Sequence, residues 1–385
     1  MTNSKTAILT IQRVKNYGAA LQTYALHNTL NQKKIFNEVV DYHRINMGKS
    51  AMIKKHGILG GYLYVLISEM KAMRRYLLNV IAFKDISLAK LKSKDVLFDN
   101  FENKYLKFSS PLEEKELFTL NTKYDNFISG SDQVWNHTFN FSIEAFFLNF
   151  VDKTNNRIAF APSFGISEVP KEYWTSYKES FQNFNYLSVR EQEGAAIIKK
   201  IANIDATVLL DPVFLMTKEE WQKAFNLKEH TSQKPYILCY TLGAEDETAL
   251  EICRKIKKEK GYDIVRLGRG KKDLNIKDAI VRWDVGPVEF LDLILNASLV
   301  VTNSFHGTAF SLNFNVPFFC VLSKENKRTS RIKNILRIVD LEDRVLYEYK
   351  DKILKNLSIE QQNKVIDILS SERVKSHKFL EKALF

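Results

Sequence analysis

Several short stretches of the chain set side chains able to do chemistry at the ends of apolar runs. In "SLVVTNSFHGTAF", residues 298–310, His306 follows a strand-like run and directly precedes Gly307. The pattern reads as a strand, a tight turn and a short helix. Asn303 or Ser304 can cap that helix, and Gly307 lets a ligand approach the backbone closely. Free N–H groups at such a helix start favour an anion. A histidine there can donate a charged hydrogen bond or transfer a proton near neutral pH. A buried histidine satisfied by backbone fits the same residues, so both readings stand at this level. In "FISGSDQVWN", Ser131 and Asp132 end another run. Their turn either presents the Asp132 carboxylate to a cleft or closes on itself as an Asx turn. "LSVRE" ends in Arg190 and Glu191, an arginine fork suited to phosphate or carboxylate and equally suited to a structural Arg–Glu pair. In "LLDPVF", Pro212 reads as turn chemistry and Asp211 before it as a structural residue. The loop "RVKNYGAA" sets Arg13, Lys15, Asn16 and Gly18 before a helix. It resembles half of a phosphate-binding turn but lacks a full glycine fingerprint.

The elements that would position these groups alternate. "TAILTIQ", a helical pattern in "AALQTYALHNTLNQK" and "NEVVDY" give a β-loop-α-β order, which argues a parallel, doubly wound sheet. "YDNFISG", "NRIAFAPSFG" and "YLSVRE" extend the series. After a break near residues 211–235, a second series begins with "YILCYTLG" and continues through "YDIVRLG", "DAIVRW", "SLVVTNS" and "VPFFCVL". Helices are expected over 246–260, 287–297, 327–338 and 358–383. Ligands in such sheets gather at the carboxyl ends of strands, where the residues above stand. The expected fold class is α/β, two Rossmann-like domains facing each other across a cleft. The first domain spans 1–225, with a basic helical insertion at about 45–110, and the second spans 226–385 with the terminal helices.

Composition narrows the partners. The 385 residues carry 57 Lys and Arg against 45 Asp and Glu, a net charge of +12, which suggests an anionic partner. The basic residues are not grouped with aromatic stacking platforms, so nucleic acid is not expected. Residues 45–95 hold ten Lys or Arg against three acids. They read as a solvated helical excursion or as a peripheral contact with an anionic membrane. The three cysteines are scattered without a CxxC pair, which disfavours a zinc site and fits a reducing cytoplasm. "MTNSKTAILTIQ" lacks a secretory pattern. The most apolar stretch, "GILGGYLYVLISEM", is too short to span a bilayer.

Taken together, "NYGAALQTYAL", "FISGSDQVWN", "APSFG", "SVRE", "LLDPVF" and "GPVEFLDLILNASLVVTNSFHGTAFSLNFNVPF" resemble the polysaccharide pyruvyl transferase family, in the family's order over roughly residues 8 to 340. The resemblance implies a fold similar to the GT-B glycosyltransferases, phosphoenolpyruvate as donor and a pyruvate ketal on a sugar as product. It implies that His306 and Arg190 hold the donor. Several family members carry an arginine two places before the histidine, where this chain has Ser304. Lys327, Arg328 and Arg331 are the substitutes at hand.

On this reading His306 is the acid and an anchor, Arg190 the anion anchor, and Asp132 the base or a sugar-orienting group. Ser304, Gly307, Ser131, Asn16 and Arg331 are further expected substrate contacts. No metal or cofactor is required by the chemistry. The partners are phosphoenolpyruvate and a glycan acceptor, lipid-linked or nucleotide-linked. The expected location is the cytoplasm, with peripheral contact at the inner membrane face. Two alternatives keep the fold: a glycosyltransferase using a nucleotide sugar, and a non-catalytic sugar-binding homologue.

Overall fold

The computed structural model describes residues 4–43, 70, 88–138, 143–230, 234–243, 246–323, 329–348 and 357–385. Strands β1 (Lys5–Leu9), β2 (Phe36–Val39), β3 (Asn126–Ser129), β4 (Asn156–Ala159), β5 (Tyr186–Val189) and β6 (Thr207–Val208) form one sheet in the order β2-β1-β3-β4-β5-β6. Strands β7 (Tyr236–Tyr240), β8 (Asp263–Leu267), β9 (Ile280–Arg282), β10 (Leu299–Thr302), β11 (Phe318–Val321) and β12 (Val345–Leu346) form the other, β12-β11-β10-β7-β8-β9. Every pairing is parallel. Parallel strands covered on both faces carry unbroken apolar runs, as in "YILCY" of β7, "LVVT" of β10 and "FFCV" of β11, buried along their whole length. With the flanking helices this is the expected two-sheet α/β architecture.

Each sheet reverses its strand order once, between β1 and β3 in the first and between β7 and β10 in the second. Crevices open at such points, outside the carboxyl ends of the strands. The ladder of β1 stops at Leu9 because the chain then bends. Gln12 donates through Nε2 to the carbonyls of Val40 and Tyr42, at 3.3 and 2.9 Å, and so ties the departing loop to the end of β2.

The two halves share an apolar core. The helix Tyr17–Gln32, capped by Asn16, is buried on nearly every face because it lies between the sheets. Tyr17 stacks on Phe290 with ring centroids 4.5 Å apart and donates its hydroxyl to the Val285 carbonyl at 3.0 Å. Leu21, Tyr24 and Trp221 of the first half join Ile294 and Phe310 of the second in one cluster. Most of the basic stretch at 45–95 lies outside the described residues. Its described end enters the helix Leu88–Tyr105, which sinks Phe98 and Phe101 into that shared core.

The terminal helix, Ile359–Leu384, expected in the second domain, packs there only through its first half, by Val365 and Leu369. Its last turns bury Leu380, Ala383 and Leu384 against Ile8, Leu26, Ile128 and Ile158 of the first sheet. Asn156 fastens the end by donating to the Ala383 carbonyl at 2.7 Å. The apolar stripe fixes that the helix packs, and says nothing of which sheet receives it. No helix among the described residues is long and apolar enough to cross a membrane.

Candidate active site

Four loops at carboxyl ends of strands meet at the seam. Asp132 follows β3, Arg190 follows β5, Asp211 follows β6 and His306 follows β10. Asp211 is at the centre of the first-domain part. It is fully buried, and its Oδ1 accepts from the Val213 N–H at 3.1 Å, capping the turn Pro212–Leu215. Its Oδ2 accepts from Arg190 Nη1 at 2.5 Å and from the Ser131 hydroxyl at 3.2 Å. Burial pushes the Asp211 carboxyl up, but His306 and Arg190 outweigh it and hold the group well below the usual carboxylate range.

Arg190 is only 2% exposed. Its Nε donates to Glu191 Oε1 at 3.1 Å, and Glu191 Oε1 also accepts from the Ser163 hydroxyl at 2.6 Å. Burial pulls the guanidinium down. The carboxylates of Glu191, Asp211 and Asp132 more than restore it, so its value ends above the ordinary one. Two of its donors are thus consumed inside the protein, and Nη2, 3.8 Å from Asp132 Oδ1, has no hydrogen-bond partner among the described residues. The fork and the structural Arg–Glu pair are therefore both present in one side chain. Replacing Arg190 with alanine is expected to cost about 3–5 kcal/mol of stability, because it leaves buried carboxylates unpaired. Denaturant unfolding of the variant checks this, and an unchanged midpoint would contradict it.

The second domain brings His306, Phe305 and Arg331. Ser304 caps the helix Phe305–Asn313, its hydroxyl accepting from the Gly307 N–H at 3.4 Å. His306 is 7% exposed, and its Nε2, 3.6 Å from Asp211 Oδ2, has no hydrogen-bond partner among the described residues. Phe305 lies edge-on to the His306 ring, and the guanidinium carbons of Arg190 and Arg331 sit 4.7 and 5.9 Å from its centroid. Arg331 Nη1 stands 3.9 Å from Asp132 Oδ1, and its Nε has no hydrogen-bond partner among the described residues. Burial lowers the Arg331 guanidinium from its ordinary value, and Arg190 beside it adds repulsion that Asp132 only partly offsets.

A cleft of about 440 Å³ opens in front of Phe305, lined by Gln133, Leu242, Asn303, Ser304, Phe305 and Arg331 among others. It joins a first-domain residue to second-domain ones and has the size of a small-molecule site. His306 and Arg190 are packed behind Phe305. Another hollow, lined by Val169, Trp174 and Ile197 among others, lies between helices of the first domain and includes none of these groups in its lining.

The expected residues thus divide. His306, Arg190, Asp132, Ser131 and Arg331 come together, and Ser304 forms part of the cleft wall. Ser131 is fully buried and binds Asp211, so its hydroxyl serves the network. Asp132 takes a left-handed backbone, φ 69°, and accepts from the Gln133 N–H at 2.9 Å, which is the local turn chemistry. Its carboxylate still stands between two guanidinium groups. Asn16 is exposed and caps the helix Tyr17–Gln32 by accepting from Ala19 N–H at 3.2 Å. Gly307 departs from its expected part: a Cβ there would lie 2.5 Å from Thr302 Oγ1, so the missing side chain lets helix pack on strand. Lys327 and Arg328 lie outside the described residues. The sequence does not single out Asp211 or Phe305 for the site, and offers Gly18 only within half of a phosphate-binding turn. Their signal is spatial, since Asp211 is polar and fully buried only once Arg190 and His306 surround it.

The family model for polysaccharide pyruvyl transferase matches residues 16–325. The chain belongs to the polysaccharide pyruvyl transferase family. The match takes in the loops bearing Asp132, Arg190, Asp211 and His306, and Arg331 lies just beyond it. Comparison with curated protein sequences gave no match. Among solved structures, the chain is similar to a putative UDP-N-acetylglucosamine 2-epimerase from Listeria monocytogenes, at 11% identity and a TM-score of 0.52, covering 100% of this chain and 91% of that one. It is also similar to the UDP-GlcNAc 2-epimerase of Methanocaldococcus jannaschii, at 14% identity and a TM-score of 0.48, covering 95% and 92%. At these identities the first likeness speaks to fold alone. The pyruvyl transferase family member has a two-domain Rossmann-like fold of the GT-B kind.

Proposed function

We propose that the protein transfers the pyruvyl group of phosphoenolpyruvate to two hydroxyls of a glycan precursor, releasing phosphate and leaving a pyruvate ketal. The observation that carries this reading, beside family membership, is the set of unpartnered buried nitrogens at the seam. Arg190 Nη2, Arg331 Nε and His306 Nε2 each lack a hydrogen-bond partner among the described residues. Buried donors are normally satisfied, so three around one phenylalanine suit a ligand rich in acceptor oxygens. Phosphoenolpyruvate supplies both a phosphate and a carboxylate.

In this mechanism Arg331, on the cleft wall, grips an anionic group of the donor, and Arg190 Nη2 completes the grip from behind. Arg331 takes the place of the arginine that other family members carry where this chain has Ser304. His306 gives its proton to the methylene carbon, which leaves positive charge at the carbon bearing the phosphate oxygen. One sugar hydroxyl attacks that carbon and loses its proton toward Asp132. Phosphate then leaves with its bonding pair, and the second hydroxyl closes the ketal, giving its proton to the now neutral His306, while the proton taken by Asp132 departs with the phosphate. The protein's contribution is a proton at a defined atom and fixed charge in a site screened from water.

The fold is shared with enzymes whose names refer to UDP-N-acetylglucosamine, which keeps a nucleotide-sugar donor as the competing reading. Thermal-shift titration separates the two. Phosphoenolpyruvate is expected to raise the melting temperature in a saturable way. A rise with UDP-sugars and none with phosphoenolpyruvate would overturn the proposal.

A further inference from the structure

His306 belongs to the second domain, yet the groups that fix its ring belong to the first. On one side stands Asp211 Oδ2, 3.6 Å from Nε2. On the other lies Gly18, in the first turn of the helix Tyr17–Gln32. A Cβ built on Gly18 would fall 1.9 Å from His306 Nδ1 and 2.3 Å from Cε1. The ring therefore rests directly on the glycine backbone, at a distance no other residue permits. Phe305 closes a third side, with centroids 5.1 Å apart. Asp211 is itself locked, by Arg190 at 2.5 Å, the Ser131 hydroxyl at 3.2 Å and the Val213 N–H at 3.1 Å.

We propose that Asp211 and Gly18 are positioning residues that complete the acid, holding His306 with its ring proton on Nε2. The inference rests on the pyruvyl transfer reading and adds to it that the acid is assembled from both domains. Asp211 is charged and near enough to steady a cationic imidazole. At 3.6 Å it does not occupy the Nε2 proton in a hydrogen bond, so that proton stays available to the donor. Gly18 sets the height of the ring. Asp211 is otherwise explained as the cap of the Pro212–Leu215 turn and the partner of Arg190. Gly18 is explained by neither, since no other contact in its surroundings is as close as the histidine.

Two variants separate positioning from folding. Asp211→Asn disturbs Arg190 as well as His306, whereas Gly18→Ala leaves the Asp211–Arg190 pair intact and displaces only the ring. A misplacement of about 1 Å in a reacting group can cost roughly 10²-fold in rate. For Gly18→Ala, kcat is therefore expected to fall by about that factor while KM for phosphoenolpyruvate stays within about threefold. Added to His306→Gln, Gly18→Ala is expected to lower kcat no further, because groups acting as a unit are not additive. The decisive readout uses the full chain without any substrate: nitrogen-15 NMR of the histidine rings. The wild type is expected to show the His306 proton on Nε2, and both variants to shift that resonance. A neutral ring with its proton on Nδ1 alone in the wild type, or a resonance unmoved in Gly18→Ala, overturns the inference. So does a kcat loss in Gly18→Ala that multiplies with His306→Gln. If the wild type releases no phosphate from phosphoenolpyruvate, the pyruvyl transfer reading fails by itself, and the NMR result still decides the positioning.

Discussion

Replacing His306 with glutamine is expected to lower acceptor-dependent phosphate release from phosphoenolpyruvate by ~10²–10⁴-fold, with KM for the donor changed only a few-fold. That range is what the loss of a general acid removes. Glutamine keeps a polar side chain of similar reach and cannot deliver a proton at neutral pH. The folded state should tolerate the change, because His306 Nε2 makes no hydrogen bond that would be lost and Asp211 keeps Arg190 and Ser131 as partners. Steady-state kinetics alongside thermal unfolding check both halves. A variant with turnover within about twofold of wild type would remove His306 from the chemistry.

Arg331→Ala is expected to act on the other parameter. A hydrogen bond to a charged group is worth about 1.5–3 kcal/mol, which corresponds to roughly a 10- to 150-fold rise in KM for phosphoenolpyruvate at 1.4 kcal/mol per decade. Stability should stay level or rise. The Arg331 side chain is only 15% exposed, pairs with Asp132 no closer than 3.9 Å and is repelled by Arg190. Arg331→Lys should recover part of the affinity, since it restores charge but not the planar fork. Donor titrations and melting curves on the three proteins test this. A large drop in melting temperature with unchanged KM would mean that Arg331 is a structural residue. The contrast with Arg190 is physical: one arginine has its charge compensated inside the protein, and the other does not.

The sequence makes the sheets easy to read because parallel strands are buried on both faces. Runs such as "YILCY" and "LVVT" therefore stand out without any partner being known. The helix expected over 246–260 appears as Asp246–Lys260, its apolar face on the second sheet. The two-residue strands β6 and β12 carry too little pattern to be seen. The site was legible in residue type and incomplete in geometry. Arg190 and His306 sit at strand ends where chemistry is expected, yet nothing in "SVRE" says that two donors of that arginine are spent on Glu191 and Asp211. Asp211 looked like an ordinary turn residue because its partner Ser131 is 80 positions upstream. Gly307 and Gly18 are equally instructive. The glycine next to the histidine in sequence makes room for Thr302, and the one across the domain seam makes room for the histidine. Proximity of that kind exists only in the fold.

The most direct test of the central claim follows both products at once. The protein is incubated with phosphoenolpyruvate carrying a labelled pyruvyl carbon and a panel of glycan acceptors, with UDP-sugars in a parallel arm. The expected result is phosphate release that requires an acceptor, with label appearing in the glycan in equal amount as a ketal. Label absent from every glycan, together with sugar transfer from a UDP-sugar, would contradict the account.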